Sequence, residues 1–250
     1  MRERPPYLRT ADVLRQRIKE QEWSPGDRLP SRTQLAQECE ATEAVVRRAQ
    51  ELLIAQGVLV GRGGSGTYVA EPRERVCLLR SPERERTEGS PFYAGTVELG
   101  KHGSWDSRSD PLIPAPADIA ERLGIQAGAY CVRTSYVFLA DGKPVQLSIS
   151  WEPYEITSGT LVVLPEAGPH AGRGVVGRMA EIGVTVVRAV ERPEPGHANA
   201  GEANLLGIQR GALVTRIQRT YFSNDGRAVE TADIVVPTSL CEIVYEVPVT

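Results

Sequence analysis

Cysteine and histidine are scarce in this sequence, with four cysteines and three histidines among 250 residues. The cysteines stand far apart without a CxxC pair, and the histidines are isolated from one another. Disulfide frameworks and zinc sites need such residues at characteristic close spacings. We therefore expect no disulfide, no metal site and no cofactor, and a reduced cytoplasmic location.

Long apolar runs and a strong excess of charge are also missing. No segment reaches the roughly 18 apolar residues of a membrane helix, so we expect no membrane partner. The net charge is −3; residues 1–75 hold 13 Lys/Arg against 11 Asp/Glu (+2), and residues 76–250 hold 16 against 21 (−5). A DNA-binding protein needs basic residues only where it meets phosphates. The charge balance therefore permits DNA binding without indicating it.

Residues 26–69 show the pattern of two short helices followed by a glycine-rich hairpin. Ser31 is a good N-cap with Gln34 placed to complete a capping box, and Thr42 caps a second helix over 43–56. Two short strands, 58–60 and 67–69, flank a glycine-rich loop. Apolar residues at helical spacing predict a further helix over 8–20. This pattern predicts a helix-turn-helix with a wing.

The same stretch resembles the winged helix-turn-helix of the GntR family of bacterial regulators. The matching segments are Pro25-Gly26-Asp27, Leu29-Pro30-Ser31, Leu35-Ala36, Val46-Arg47-Arg48-Ala49, Leu53, Gly57 and Gly64-Ser65-Gly66-Thr67-Tyr68-Val69. The resemblance implies a DNA-binding domain over residues 1–72 and double-stranded operator DNA as a partner.

DNA bases are contacted from the N-terminal part of the second helix of such a motif. The predicted DNA-binding residues are Ser31, Arg32, Thr33, Thr42, Glu43, Ala44, Arg47, Arg48, Arg62, Gly64 and Ser65. In GntR relatives three arginines commonly serve this surface, and this sequence keeps only the third, as Arg47. Thr33 stands at the first position, with Arg32 displaced by one, and Glu43 stands at the second. Glu43 either accepts a hydrogen bond from cytosine or serves as a partner of the helix dipole.

The other predicted DNA contacts have phosphate or groove roles. Ser31, Thr42 and Arg48 are expected to serve phosphates or helix capping. Gly64 and Ser65 at the hairpin tip let the backbone approach DNA closely, and Arg62 is placed to reach the minor groove.

An internal repeat organises the rest of the chain. Leu123-Gly124-Ile125-Gln126-Ala127-Gly128-Ala129 recurs 83 residues later as Leu206-Gly207-Ile208-Gln209-Arg210-Gly211-Ala212. Each copy follows an alanine-rich helix and leads into a strand, an Asp-Gly hairpin and a returning strand. A helix over 174–182 and a strand over 184–192 lie between the copies, and 242–249 alternates like a last strand. The pattern predicts an α+β fold with an antiparallel sheet.

This second region resembles the UTRA effector-binding domain of the HutC branch of GntR regulators. The likeness rests on the repeated Leu-Gly-Ile segments, Asp141-Gly142-Lys143-Pro144-Val145, Arg219-Thr220 and Asp225-Gly226-Arg227-Ala228-Val229-Glu230. It implies a chorismate lyase-like fold that binds an effector and dimerises over 91–250. Residues 73–90, rich in charge and proline, are expected to be a linker whose apolar island 76–79 pairs with either domain.

The resemblance also implies an effector pocket over the sheet. Its candidate residues are Arg133, Tyr136, Phe138, Ser148, Ser150, Arg173 and Glu230. Sugar-phosphate-sensing relatives hold the phosphate with an Arg-x-Arg pair where this sequence has Tyr136-Val137-Phe138. Because two guanidiniums are missing, we expect an unphosphorylated, partly apolar or aromatic effector.

These features predict a homodimeric transcriptional repressor that a small-molecule effector releases from its operator. One alternative is a constitutive DNA-binding repressor whose second domain only dimerises. Another is a chorismate lyase-like enzyme, but the sequence shows no catalytic constellation. We therefore expect a regulator that is not an enzyme.

Overall fold

Two units make up the chain in the computed structural model, and they are Met1–Arg73 and Glu74–Thr250. The structure describes residues 4–71, 75–81, 92, 100–247 and 249. None of the helices in these described ranges is both long and apolar enough to cross a membrane.

The first unit is a three-helix bundle with a β-hairpin. Its elements are α1 (Pro6–Lys19), α2 (Arg32–Glu38), α3 (Glu43–Ala55), β1 (Leu59–Arg62) and β2 (Gly66–Val69), and β1 pairs with β2 antiparallel. The buried core consists of Ala11, Leu14, Trp23, Leu29, Leu35, Ala36, Val46, Ala49, Leu53, Leu59 and Val69. The predicted winged helix-turn-helix is confirmed, with helix ends within two residues of the predicted ones.

Local chemistry starts and ends the two helices of the motif. The Ser31 hydroxyl accepts a hydrogen bond from the Gln34 amide at 3.2 Å, and the Thr42 hydroxyl accepts one from the Val45 amide at 3.4 Å. These contacts satisfy amides that the first turn of a helix leaves without partners. Gly57, just beyond α3, has a φ of 72°, which glycine adopts without steric cost.

The wing is tied to the segment before α2 by backbone hydrogen bonds. The Gly26 amide donates to the Val69 carbonyl at 3.0 Å, and the Leu29 amide donates to the Thr67 carbonyl at 2.9 Å. Gly66 has a φ of 118°, and a Cβ there would lie 2.8 Å from the Arg28 Nε. The turn of the wing therefore needs glycine at this position.

The described part of the second unit contains a six-stranded sheet, four helices and two further strands. They are β3 (Val76–Arg80), β4 (Gly103–Pro114), α4 (Ala117–Leu123), β5 (Tyr130–Ala140), β6 (Lys143–Pro153), α5 (Tyr154–Thr157), α6 (Gly174–Glu181), β7 (Val186–His197), α7 (Ala200–Leu206), β8 (Leu213–Ser223), β9 (Ala228–Pro237) and β10 (Cys241–Tyr245). The fold is the predicted α+β class.

The sequence repeat appears in the six-stranded antiparallel sheet, whose strand order is β4-β5-β6-β9-β8-β7. Each copy supplies strand, helix, strand, strand: β4-α4-β5-β6 and then β7-α7-β8-β9. The two copies meet at the β6–β9 pair. Exchanging the strands of one copy for those of the other gives the same strand order, read from the other edge of the sheet. The predicted helix–strand–hairpin–strand repeat is confirmed, and each copy also begins with a strand before its helix.

The apolar island in the expected linker is a strand of the second unit. β3 pairs in parallel with β10, from Val76 opposite Cys241 to Arg80 opposite Tyr245. One of the two pairings left open by the sequence is therefore present, within the second unit. Residues 73, 74 and 82–90 of the expected linker lie outside the described residues. The remaining domain boundaries stay a prediction.

Candidate DNA interface and ligand cavity

The start of α3 presents an exposed surface. This end of the helix carries Glu43, Ala44 and Arg47. Arg47 is the cation predicted to contact a base. The Arg47 side chain is 60% exposed and faces the Glu51 carboxylate at 3.8 Å, one turn along the helix. Such an exposed pair contributes about 0.3–0.5 kcal/mol at most. The Arg47 guanidinium is therefore available to a ligand that approaches this surface.

A hydrogen bond joins the starts of α2 and α3. The Thr33 hydroxyl donates to the Glu43 carboxylate at 2.7 Å. Thus the two residues that replace the family's usual arginines contact each other. Glu43 also lies in the first turn of α3, where a negative charge is favourable. These contacts give Glu43 a structural role at the start of α3. A contact between Glu43 and a base stays a prediction.

Aromatic rings and an amide orient the remaining arginines of this surface. The Arg32 Nε donates to the side-chain oxygen of buried Gln50 at 3.1 Å. The guanidinium of Arg48 lies 4.4 Å from the Tyr7 ring centre, on the side of α1. Stacking leaves the N–H edges of a guanidinium free to bind phosphate. Sequence reasoning missed Tyr7 as a support for Arg48.

The wing places Arg62, Gly64 and Ser65 near its exposed tip. The Arg62 guanidinium lies 4.4 Å from the Tyr68 ring centre. The Tyr68 hydroxyl is 2.7 Å from the Ser65 hydroxyl, so one ring supports both residues. Gly64 has a φ of 71°. The predicted wing residues are therefore gathered at one end of the hairpin.

The pleat of the sheet in the second unit separates two sets of side chains. In a strand, successive side chains point to opposite faces. Cys131 of β5 and Trp151 of β6 pack with α4, and Val137 and Leu147 pack with α7, so these odd-numbered residues face the two helices. Tyr136 and Phe138, which pair with Ser148 and Gln146, lie on the opposite face.

A cavity of about 70 Å³ lies on this opposite face. Residues of the sheet, of β3 and of α6 surround it. Its described lining consists of Arg80, Phe92, Trp105, Tyr136, Phe138, Gln146, Ser148, Ser150, Glu166, Gly174, Val175, Arg178, Arg219, Tyr221, Glu230 and Ile234.

The structure brings most of the predicted effector residues to this cavity. Tyr136, Phe138, Ser148, Ser150 and Glu230 line it.

Arg133 and Arg173 are the two predicted effector residues that the structure does not bring to the cavity. Arg133 lies on the face of the sheet that carries α4 and α7, where its guanidinium contacts Asp110 at 3.2 Å. Arg173 precedes α6 with its side chain 44% exposed and pairs with Glu181. We correct both placements: the pleat directs Arg133 away from the cavity, and Arg173 is held at the surface by its ion pair.

Three arginines in the cavity wall escaped sequence reasoning. Arg80 comes from β3, Arg178 from α6 and Arg219 from β8. The loss of the Arg-x-Arg pair predicts that little is left here to neutralise a dianion, but three other guanidiniums line the cavity. One signal was available, because Arg219 stands 83 residues after Tyr136 and is its mate in the internal repeat. No comparable pattern marks Arg80 or Arg178.

Each of these arginines already has a carboxylate partner. Arg178 is 1% exposed, contacts Glu152 and donates to the Val162 carbonyl at 2.8 Å. Arg219 contacts Glu230 at 3.2 Å.

The third pair joins Arg80 to the edge strand β7. Arg80 contacts Glu191 at 3.4 Å and also donates to the Gln146 side chain at 3.4 Å. The cavity wall is thus a set of paired charges without an excess of arginine.

Burial changes the protonation of the carboxyl groups in this wall. It raises the pKa of Glu230 to about 7, against the opposing effect of Arg219. Burial also raises the pKa of Glu152, although Arg178 opposes the change. The pKa of Tyr136 is well above its usual value because of burial and the nearby Glu166 charge. Glu230 therefore changes its protonation near neutral pH.

The loop 158–173 covers one side of the cavity. The Tyr136 hydroxyl donates to one oxygen of Glu166 at 3.1 Å, and the Gly172 amide donates to the other at 3.1 Å. A Cβ on Gly172 would lie 3.4 Å from the Trp105 ring. Together with the Arg178–Val162 contact, these bonds hold the loop against the sheet.

We expect Glu230 to make the stability of this sheet fall as pH rises. A carboxyl whose folded pKa is about 7, against 4.5 unfolded, stabilises the fold fully below pH 4.5 and loses that contribution as pH rises through 7. The shift corresponds to roughly 3 kcal/mol. E230Q should resemble the wild type at pH 5 and exceed it in stability at pH 8. Hydrogen exchange of β6 and β9 amides measures this, and identical pH profiles would contradict the shift.

Two family models match the chain. The model of bacterial regulatory proteins of the gntR family matches residues 6–69, and the UTRA domain model matches residues 100–240.

Named relatives and solved structures match along nearly the whole chain. The transcriptional repressor NagR of Bacillus subtilis is 28% identical over 235 residues, covering 92% of this chain and 90% of the relative. The histidine utilization repressor of Pseudomonas putida is 28% identical over 235 residues, covering 91% and 86%. A crystal structure described as a GntR-family transcriptional regulator is 39% identical, covers 99% of each chain and has a TM-score of 0.83. The structure of PhnF from Mycobacterium smegmatis, at 21% identity, 96% and 100% coverage and a TM-score of 0.59, shares the fold.

Proposed function

The chain belongs to the GntR family of bacterial regulators with a UTRA domain, and from this we propose that it is a dimeric repressor released from operator DNA by a small molecule. It is a transcriptional regulator and not an enzyme. The observation that carries the proposal is one chain holding both a winged helix and a sheet with a buried, charge-lined cavity.

Dimerisation is proposed because of how winged helices recognise operators. Two recognition helices held at a fixed spacing read the two halves of a pseudo-palindrome. The effector would bind one arrangement of the dimer more tightly and so shift the population away from the operator-bound form. The second unit is the proposed site of both events.

The test needs the chain's own operator. Footprinting its promoter region supplies the DNA, and light scattering should give twice the monomer mass of 27.3 kDa. We expect the small-molecule fraction of a bacterial extract to lower the affinity for this DNA. If no fraction or purified metabolite changes the affinity of the dimer, the constitutive repressor is the correct alternative.

We propose Arg47 as the base-contacting side chain. R47A should weaken specific operator binding by about 1–3 kcal/mol per half-site, because a guanidinium that pairs with a base edge is lost. Fluorescence anisotropy with operator and scrambled duplexes measures the specific part. K19A is the control, since Lys19 is an exposed cation at the far end of α1. Equal losses on both duplexes would make Arg47 a phosphate contact.

A further inference from the structure

The charges around the cavity do not balance among the described residues. Arg80, Arg178 and Arg219 line it, and the carboxylates in contact with this wall are Glu152, Glu166, Glu191 and Glu230. Three of these carboxylates pair with the three arginines. Glu166 instead accepts hydrogen bonds from the Tyr136 hydroxyl and the Gly172 amide. The described wall therefore holds one more acid than base.

Glu230 has a buried oxygen that is open to a ligand. Its Oε1 contacts Arg219 at 3.2 Å, while its Oε2 has no hydrogen-bond partner among the described residues. The residue is 0% exposed and lines the cavity. A buried acceptor without a partner is unfavourable, and a ligand donor would satisfy it.

Aromatic rings form the wall of the same cavity. Tyr136 and Phe138 are stacked with ring centres 5.4 Å apart and planes within 12°. Phe92 and Trp105 lie 4.8 Å and 6.4 Å from Phe138. A flat ring can pack on this wall, and the faces of aromatic rings attract cations.

We propose that the cavity binds a small organic cation, in which a flat apolar group packs against Tyr136 and Phe138 and a protonated nitrogen donates to Glu230 Oε2. The inference rests on the proposed function, since it names the chemical class of the effector. The ligand supplies a positive charge against the excess acid of the described wall, and a donor for the Glu230 oxygen that has no hydrogen-bond partner there.

The same count of charges argues against a dianionic ligand. A phosphate would meet three arginines whose charges are already balanced by carboxylates, so the described wall offers it no surplus positive charge. It would also add negative charge beside Glu230 and Glu166. The exclusion of sugar phosphates therefore stays part of the proposal, now on the ground of pairing.

The size of the cavity requires the covering loop to move. A volume of about 70 Å³ is smaller than the roughly 150 Å³ of a cavity that binds benzene. The loop 158–173 is held by Glu166, which contacts Tyr136 of the ring-binding wall. A ring packed on that wall would therefore displace the loop, and this displacement is the proposed signal.

Three ring-matched probes test the inference on the full-length protein. Benzylamine is a cation, benzyl alcohol is neutral and benzyl phosphate is an anion. Calorimetric titration should show benzylamine binding at least about tenfold more tightly than the other two, as one recovered charge-assisted hydrogen bond predicts. A stronger or equal affinity for benzyl phosphate, or no binding of any probe at about 20 mM, would overturn the proposal.

The pH dependence gives a second measurement without a variant. Other charged or titratable groups around this cavity are Arg219 on β8, Glu152 on β6, Tyr136 on β5, Arg80 on β3, Arg178 on α6 and Glu166 on the loop. If benzylamine binds the ionised form of a carboxyl whose pKa is about 7, its affinity should rise about tenfold from pH 6 to pH 8. Benzyl alcohol should show no such rise. A flat profile for benzylamine would remove Glu230 from the site.

Variants show which residue binds the cation. Combined outcomes distinguish a failure of the proposed ligand class from a failure of the proposed function. E230Q should lose about tenfold in benzylamine affinity, while E121Q, on α4 and outside the lining of this cavity, should lose nothing. If E230Q does not fold, the wild-type pH profile decides. If a metabolite releases operator DNA but no probe prefers the cation, the ligand class is wrong and the sensor function stands. If benzylamine binds as expected but no small molecule alters operator affinity, the proposed function fails alone.

Discussion

Raising the salt concentration from 50 to 200 mM should weaken operator binding of the proposed dimer by about 10³-fold. The exposed cations of the interface are Arg32, Arg48 and Arg62, besides the base contact proposed for Arg47. One neutralised phosphate charge for each of these three cations makes about six in the dimer, and each releases counterions from DNA. The effect is large because it sums over the interface, although the whole chain is acidic.

Anisotropy titrations over a series of salt concentrations measure this slope. R48A should reduce the slope by about one unit per half-site, because one phosphate contact is lost. K19A, far from the start of α3, should leave the slope unchanged. A slope close to zero for the wild type would mean that binding does not rest on phosphate contacts, and the winged surface would not be the interface.

The first unit could be predicted almost completely because its signals are local. The caps Ser31 and Thr42, the apolar spacing of Val46, Ala49 and Leu53, and the glycines of the wing each act within a few residues. The orientation of Arg48 could not be predicted in this way. It depends on Tyr7, which comes next to it only when α1 packs against α3.

The cavity shows both a missed signal and a true limit of sequence reasoning. Arg133 stands an odd number of residues from Tyr136, so the period of two in a strand already places it on the other face. Arg219 could have been found from its position in the repeat. Arg178 could not, because it reaches the wall through the packing of α6, and its partner Glu152 is 26 residues away. Such a pairing depends on tertiary structure alone.

Replacing Arg178 by methionine should destabilise the second unit by about 3–5 kcal/mol. Arg178 and Glu152 are each 1% exposed, and R178M would leave the Glu152 carboxylate buried without its counter-charge. The substitution also removes the donor to the Val162 carbonyl in the covering loop. Hydrogen exchange of amides in β6 and in the loop 158–173 would report the loss directly.

Two matched variants separate the buried charge from the lost side chain. R173M removes an arginine from the same region, but Arg173 is 44% exposed in its pair with Glu181, so the cost should stay within about 1 kcal/mol. The double variant E152Q/R178M removes both buried charges and should recover much of the stability that R178M alone loses. If the double variant were as unstable as R178M, lost packing around the guanidinium would account for most of the destabilisation. If R178M cost no more stability than R173M, the buried Arg178–Glu152 pair would not help to hold the loop 158–173 against the sheet.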